Sequence, residues 1–71
     1  MQIGMLWYDD GTDGLAAMVR RAAEYYQKKY GKLPTVAYVH PSQAECEQVD
    51  GVRIRAAKNV MKKHVWMGVE Q

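Results

Sequence analysis

Hydrophobic positions along this chain follow two periods, and the switches between them mark its elements. From Ile3 to Tyr8 the run is apolar, with Ile3, Met5 and Trp7 alternating with Gly4, Leu6 and Tyr8. Both faces of such a strand are apolar, the pattern of a strand covered on two sides, so it predicts a central place in a sheet. The stretch Asp9-Asp10-Gly11-Thr12-Asp13-Gly14 is a turn cluster. Thr12 or Asp13 can cap a following helix by accepting from the free amides of its first turn. At about 100° per residue, Leu15, Met18, Val19, Ala22, Ala23, Tyr25, Tyr26 and Tyr30 then share one arc, with Arg20, Arg21, Glu24, Gln27 and Lys28 opposite. That is one amphipathic helix. Gly31 supplies a left-handed C-terminal residue and Pro34 follows, so the helix stops there.

A second short strand spans Val36 to His40, and a strand, helix, strand succession with these loops predicts a right-handed parallel crossover. Pro41 to Gln48 is polar and irregular, with room for one helical turn after Pro41, and Asp50-Gly51 marks a turn. Val52, Ile54 and Ala56 alternate with Arg53 and Arg55, giving a third strand with one apolar and one basic face. Val65, Met67 and Val69 alternate with His64, Trp66 and Gly68 in a fourth strand, after a connection from about Ala57 to Lys63. The last two strands are expected to form a hairpin. The fold class is therefore α+β: a two-layer β-α-β-β-β arrangement with one amphipathic helix packed on a small mixed sheet.

Composition narrows this picture. Residues 1–71 make one domain, and a globule of this length buries only about 60% of the surface its unfolded chain exposes. At 48% hydrophobic and 25% charged residues the chain lies in the ordinary globular range. Its single cysteine, Cys46, cannot form an internal disulfide, which fits a reducing compartment and a cytoplasmic location. The apolar run at the start has no basic leader and meets Asp9 and Asp10, so it is expected to be a strand rather than a signal peptide or membrane span.

One helix covers one face of a sheet, yet Trp7, Tyr8, Tyr38 and Trp66 offer more aromatic surface than a single face absorbs. The leading expectation is a small non-enzymatic accessory protein that binds another protein, or itself as a homodimer, through the uncovered face. Charge distribution gives an alternative. The formal net charge of +2 is low, but the stretch 53–63 holds Arg53, Arg55, Lys58, Lys62 and Lys63 without an acid. Arg53 and Arg55 project from one strand face and Trp66 can supply a stacking surface, a combination suited to nucleic acid.

A third expectation concerns chemistry. In a parallel strand, helix, strand unit, ligands bind beyond the carboxyl ends of the strands. Those ends deliver Asp9, Asp10 and His40, which could hold magnesium or manganese for hydrolysis, with His40 as ligand or general base. Turn formation and capping explain the same acids without a metal, and no catalytic, phosphate-loop or dinucleotide motif is present. Cys46 lies between Glu45 and Glu47, which raise a thiol pKa, and His64 beside Lys62 and Lys63 has no second ligand at metal spacing. No catalytic residue and no cofactor is assigned.

Five pieces stand in order along the chain: Ile3-Gly4-Met5-Leu6-Trp7-Tyr8-Asp9, Tyr25-Tyr26 with Lys29-Tyr30-Gly31 and Pro34, Val39-His40-Pro41, Val49-Asp50-Gly51-Val52, and His64-Val65-Trp66-Met67-Gly68-Val69. Together they resemble a family of short uncharacterised bacterial proteins of prophage or mobile-element type. The approach Met61-Lys62-Lys63 departs from the proline-containing turn of such sequences. The resemblance implies a compact single domain and no particular reaction.

Overall fold

The computed structural model describes residues 4–9, 11 and 14–69. Its elements are β1 (Gly4–Tyr8), α1 (Leu15–Tyr30), β2 (Val36–Val39), a 3-10 turn (Pro41–Gln43), β3 (Gln48–Val49), β4 (Val52–Ala56) and β5 (His64–Gly68). The five strands form one mixed sheet in the order β1-β5-β2-β4-β3, and α1 packs on one side, as the α+β reading expects.

The helix runs where its apolar period places it. Leu15, Met18, Val19, Ala22 and Tyr26 are buried. Its N-cap is Gly14, which has no side chain to cap with, while Thr12 and Asp13 fall outside the described residues. At the other end Gly31 adopts φ 76°, and its N–H donates to the Gln27 carbonyl at 2.8 Å. Only glycine takes that left-handed geometry without steric cost, so the stop read from sequence has a direct cause.

Strand order differs from expectation in two respects. Among the described residues β1 is an edge strand, paired only with β5, although both its faces are apolar. The expected hairpin between the last two strands does not form: β2 lies between them, parallel to β4 and antiparallel to β5. The reason lies in the side chains. β5 carries no full charge, and its Val65 and Met67 are completely buried, so it suits the interior of the sheet. β4 carries Arg53 and Arg55, which stay exposed nearer the periphery. β1 and β2 therefore run parallel with β5 inserted between them, and the chain segment 57–63 crosses the end of β2 to get there. β3 adds a short fifth strand. It joins β4 through Asp50 and Gly51, both at positive φ (48° and 85°), as a two-residue type I′ turn requires.

Register assigns every strand residue to a face, because directly opposed residues project to the same side. Met5, Met67, Ala37 and Ile54 form one row beneath the helix, and all are buried. Trp7, Val65, Val39 and Ala56 form the next. Tyr26 anchors the helix side of this core; it is completely buried, with its ring 4.6 Å from that of Tyr30. The rows that face away from α1 have no layer over them among the described residues.

Candidate functional site

On that open face one row crosses four strands: Leu6 on β1, Trp66 on β5, Tyr38 on β2 and Arg55 on β4. Leu6 is 54% exposed, Trp66 41%, and Tyr38 is half-buried. The row toward the carboxyl ends of β1 and β2 adds Tyr8 and His64, whose rings sit 4.9 Å apart. The row on the other side contains Gly4, Gly68, Val36 and Arg53. Gly4 is covered by the indole of Trp66, which lies where a side chain at position 4 would stand. The tryptophan thus fills the space over Gly4 and stays 41% exposed.

The crossing segment between β4 and β5 shapes one end of this surface into a cleft of about 400 Å³. Leu6, Tyr38, His64 and Trp66 contribute from the sheet, and Ala57, Asn59, Val60 and Met61 from the segment. Local bonds hold the segment in place. The Ala57 N–H donates to the Val39 carbonyl (2.8 Å), the Lys63 N–H to Gln43 Oε1 (2.6 Å), and the Asp9 N–H to the Lys63 carbonyl (2.9 Å). Val60 is buried and anchors its middle, whereas Met61 is 65% exposed. His64 Nδ1 lies 2.9 Å from the Lys62 carbonyl. A carbonyl can only accept, so Nδ1 carries the proton and Nε2 of the neutral ring is left as an acceptor. Asn59 and His64 are the polar side chains in an otherwise apolar wall.

Two of the basic residues share this face. Arg53 and Arg55 project from β4 on the same side as Trp66, separated from it by Tyr38 rather than adjacent as in the expected hairpin. Lys58, Lys62 and Lys63 are exposed on the crossing segment. Of the four aromatic residues grouped from sequence, Tyr8, Tyr38 and Trp66 share the open face. Trp7 does not: it points under the helix, its ring 5.0 Å from that of Tyr25. Strand alternation carries that distinction, since Trp7 and Tyr8 are neighbours in one strand. The same alternation could have put Leu6 in the group. Asn59 and Met61 had no such signal, because their place depends on where the crossing segment lies.

Asp9 and His40 stand at the ends of β1 and β2 with β5 between them, and Asp10 falls outside the described residues. Asp9 is engaged elsewhere: Arg21 Nε donates to Oδ2 at 2.6 Å and the Gly11 N–H to Oδ1 at 2.8 Å. The Arg21 contact, then the Gly11 bond, hold the Asp9 carboxyl below the usual carboxylate range. The indole N–H of Trp7 is buried short of hydrogen-bond geometry, but near enough to favour the same ionised carboxylate. His40 Nδ1 accepts from the Ser42 N–H at 3.1 Å and sits 2.7 Å from Ser42 Oγ. Among the described residues, no three His, Cys, Asp or Glu side chains gather as a metal site would need. Cys46 is exposed and unpaired.

A second groove, about 540 Å³, runs between α1 and the β3–β4 turn, with Val19, Ala23, Leu33 and Val52 among its walls. The ion pair from Arg20 Nε to Asp50 Oδ2 (2.7 Å) ties the helix to that turn. This groove lacks the aromatic rings of the open face. No helix among the described residues is long and apolar enough to cross a membrane. No protein-family model matches this chain, and no curated protein or solved structure is significantly similar to it.

Proposed function

We propose that this is a non-enzymatic binding protein whose open sheet face holds a single strand of nucleic acid. The observation that carries this reading is the row Leu6, Trp66, Tyr38, Arg55, an apolar and aromatic path that ends in a guanidinium. Bases stack on aromatic faces at about 1–3 kcal/mol each, whatever their identity. Phosphates need cations one or two nucleotides away; Arg53 and Arg55 project on the same face as the row, and Lys58, Lys62 and Lys63 are exposed on the segment that follows β4. The cleft beside Trp66 has the volume for a base, with Asn59 as donor or acceptor and His64 Nε2 as acceptor toward its edge.

A protein partner on the same face, the first expectation from sequence, would have to bring acids to meet Arg53 and Arg55. Two copies stacked face to face would instead set these arginines within one desolvated interface, where like charges are costly. A flexible polyanion meets both demands of the surface.

Fluorescence anisotropy with a labelled single-stranded oligonucleotide of mixed sequence tests the proposal. Binding should weaken steeply with salt, log Kd changing by roughly 0.7 per decade of salt for each phosphate neutralised. Trp66→Ala should weaken it further without loss of fold. Absence of binding at low salt, or a salt-independent affinity, disproves the proposal.

A further inference from the structure

Among the described residues the outer edge of β1 is open. In an antiparallel ladder, residues alternate between those whose backbone groups point to the neighbouring strand and those whose groups point away. The Asp9 N–H donates to Lys63, which extends the β1–β5 register by one residue and sets the phase: Asp9, Trp7 and Met5 face β5. Gly4, Leu6 and Tyr8 therefore present their N–H and C=O groups outward, and among the described residues no strand pairs with that side. Such edges are ordinarily protected by lysine, proline, a bulge or a covering element. β1 reads Gly-Met-Leu-Trp-Tyr, with no charge, no proline and an unbroken register.

We infer that two copies of this chain associate through antiparallel pairing of their β1 edges about a two-fold axis at Leu6. The pairing is self-complementary. Leu6 meets Leu6 of the second copy in a hydrogen-bonded pair, and Gly4 meets Tyr8 in both directions. The space above Gly4 is taken by the Trp66 indole, so the Tyr8 ring of the second copy, opposite Gly4, would pack against that indole as an aromatic cross-strand neighbour. On the helix side, Met5 meets Trp7.

Charge selects this mode over face-to-face stacking. In the edge-paired dimer the two β4 strands stand seven strand spacings apart, about 34 Å, so their arginines do not oppose one another. A two-fold axis perpendicular to the sheet keeps both open faces on one side. The row then reads Arg55, Tyr38, Trp66, Leu6 and back through the same residues of the second copy. The inference does not depend on what that face binds.

Light scattering coupled to size exclusion, run on the whole chain from micromolar to millimolar concentration, is the test. The expected mass is twice that of one chain at the upper end. Leu6→Lys, at an exposed position, should halve it while leaving circular dichroism and the melting curve of the diluted protein unchanged; Arg53→Gln should leave the dimer intact. Amide exchange on the unmodified protein gives a second readout independent of any variant: the Leu6 and Tyr8 amides should exchange fast when dilute and slow as concentration rises. A mass of one chain throughout, a Leu6→Lys dimer, or concentration-independent exchange at both amides overturns the inference.

Discussion

Trp66 occupies the space that a side chain at Gly4 would need: a Cβ at position 4 would collide with the indole Nε1 and stand under 3 Å from two ring carbons. The two residues are on adjacent strands, and the missing Cβ of the glycine is what lets the ring take that place. Gly4→Ala should push the indole away from the sheet. Because Trp66 is already 41% exposed, it can swing outward, and the cost to stability should stay near about 1 kcal/mol. Tryptophan emission should shift to longer wavelength, and oligonucleotide affinity should fall, since the indole leaves its place in the row.

Trp66→Ala and Tyr38→Ala each remove one stacking ring, and each should weaken oligonucleotide binding by about 1–3 kcal/mol, roughly 5- to 160-fold. Arg53→Gln should act differently. It removes one phosphate contact, so the salt slope in an anisotropy titration should drop by about 0.7 while the ranking of oligonucleotide sequences stays the same.

Tyr26 is completely buried, and among the described residues its hydroxyl has no hydrogen-bond partner. Tyr26→Phe deletes that unsatisfied group and keeps the ring, so urea denaturation should show a protein equally stable or more stable by up to about 1 kcal/mol. Burial, then the neighbouring Tyr30, raise the Tyr26 pKa above its ordinary value of about 10. The folded state thus holds the proton more tightly than the unfolded state. The resulting stability is fully present below pH 10 and is lost as pH rises through the folded pKa. Tyr26→Phe should remove that part of the alkaline unfolding limb.

The Asp9–Arg21 pair works in the opposite direction on the pH axis. With its pKa lowered by Arg21 and by the Gly11 amide, Asp9 contributes stability above the unfolded carboxylate pKa, and that contribution is lost as pH falls through the lower folded value. Asp9→Ala should cost about 1–2 kcal/mol at neutral pH, as the loss of a charge-assisted contact does, and should flatten the acid limb of a thermal-melt series.

How legible these features were in the sequence follows from their range. The helix and its end were readable because periodicity and the Gly31 stop act within one turn. The Asp50-Gly51 turn was readable for the same reason, although the two-residue strand before it was too short to leave a pattern. Strand order depends on contacts between distant segments, and there the reading failed twice. The apolar Leu6 and Tyr8 suggested a covered central strand, whereas both are more than half exposed at an edge. The segment from Ala57 to Lys63 has hairpin length, yet it carries the chain across the end of β2. The basic and aromatic residues of the open face were individually visible, but their common row was not, because Tyr38 enters it only through the insertion of β2 between β4 and β5.

That insertion has a consequence for how the protein comes into being. β5 is the latest strand in the chain and bonds to both β1 and β2, which do not bond to each other. During synthesis, the first strand and its helix can assemble no complete layer until residues 64–68 emerge, since the two strands flanking that gap have nothing to join them. The nascent segment must therefore wait with an apolar strand and half a helix unsatisfied. Closure depends on contacts between sequence-distant segments, the kind that slows folding. A chain cut short before His64 would lack the interior of its sheet rather than its margin, and should be recognised by proteases as unfolded rather than as a smaller domain.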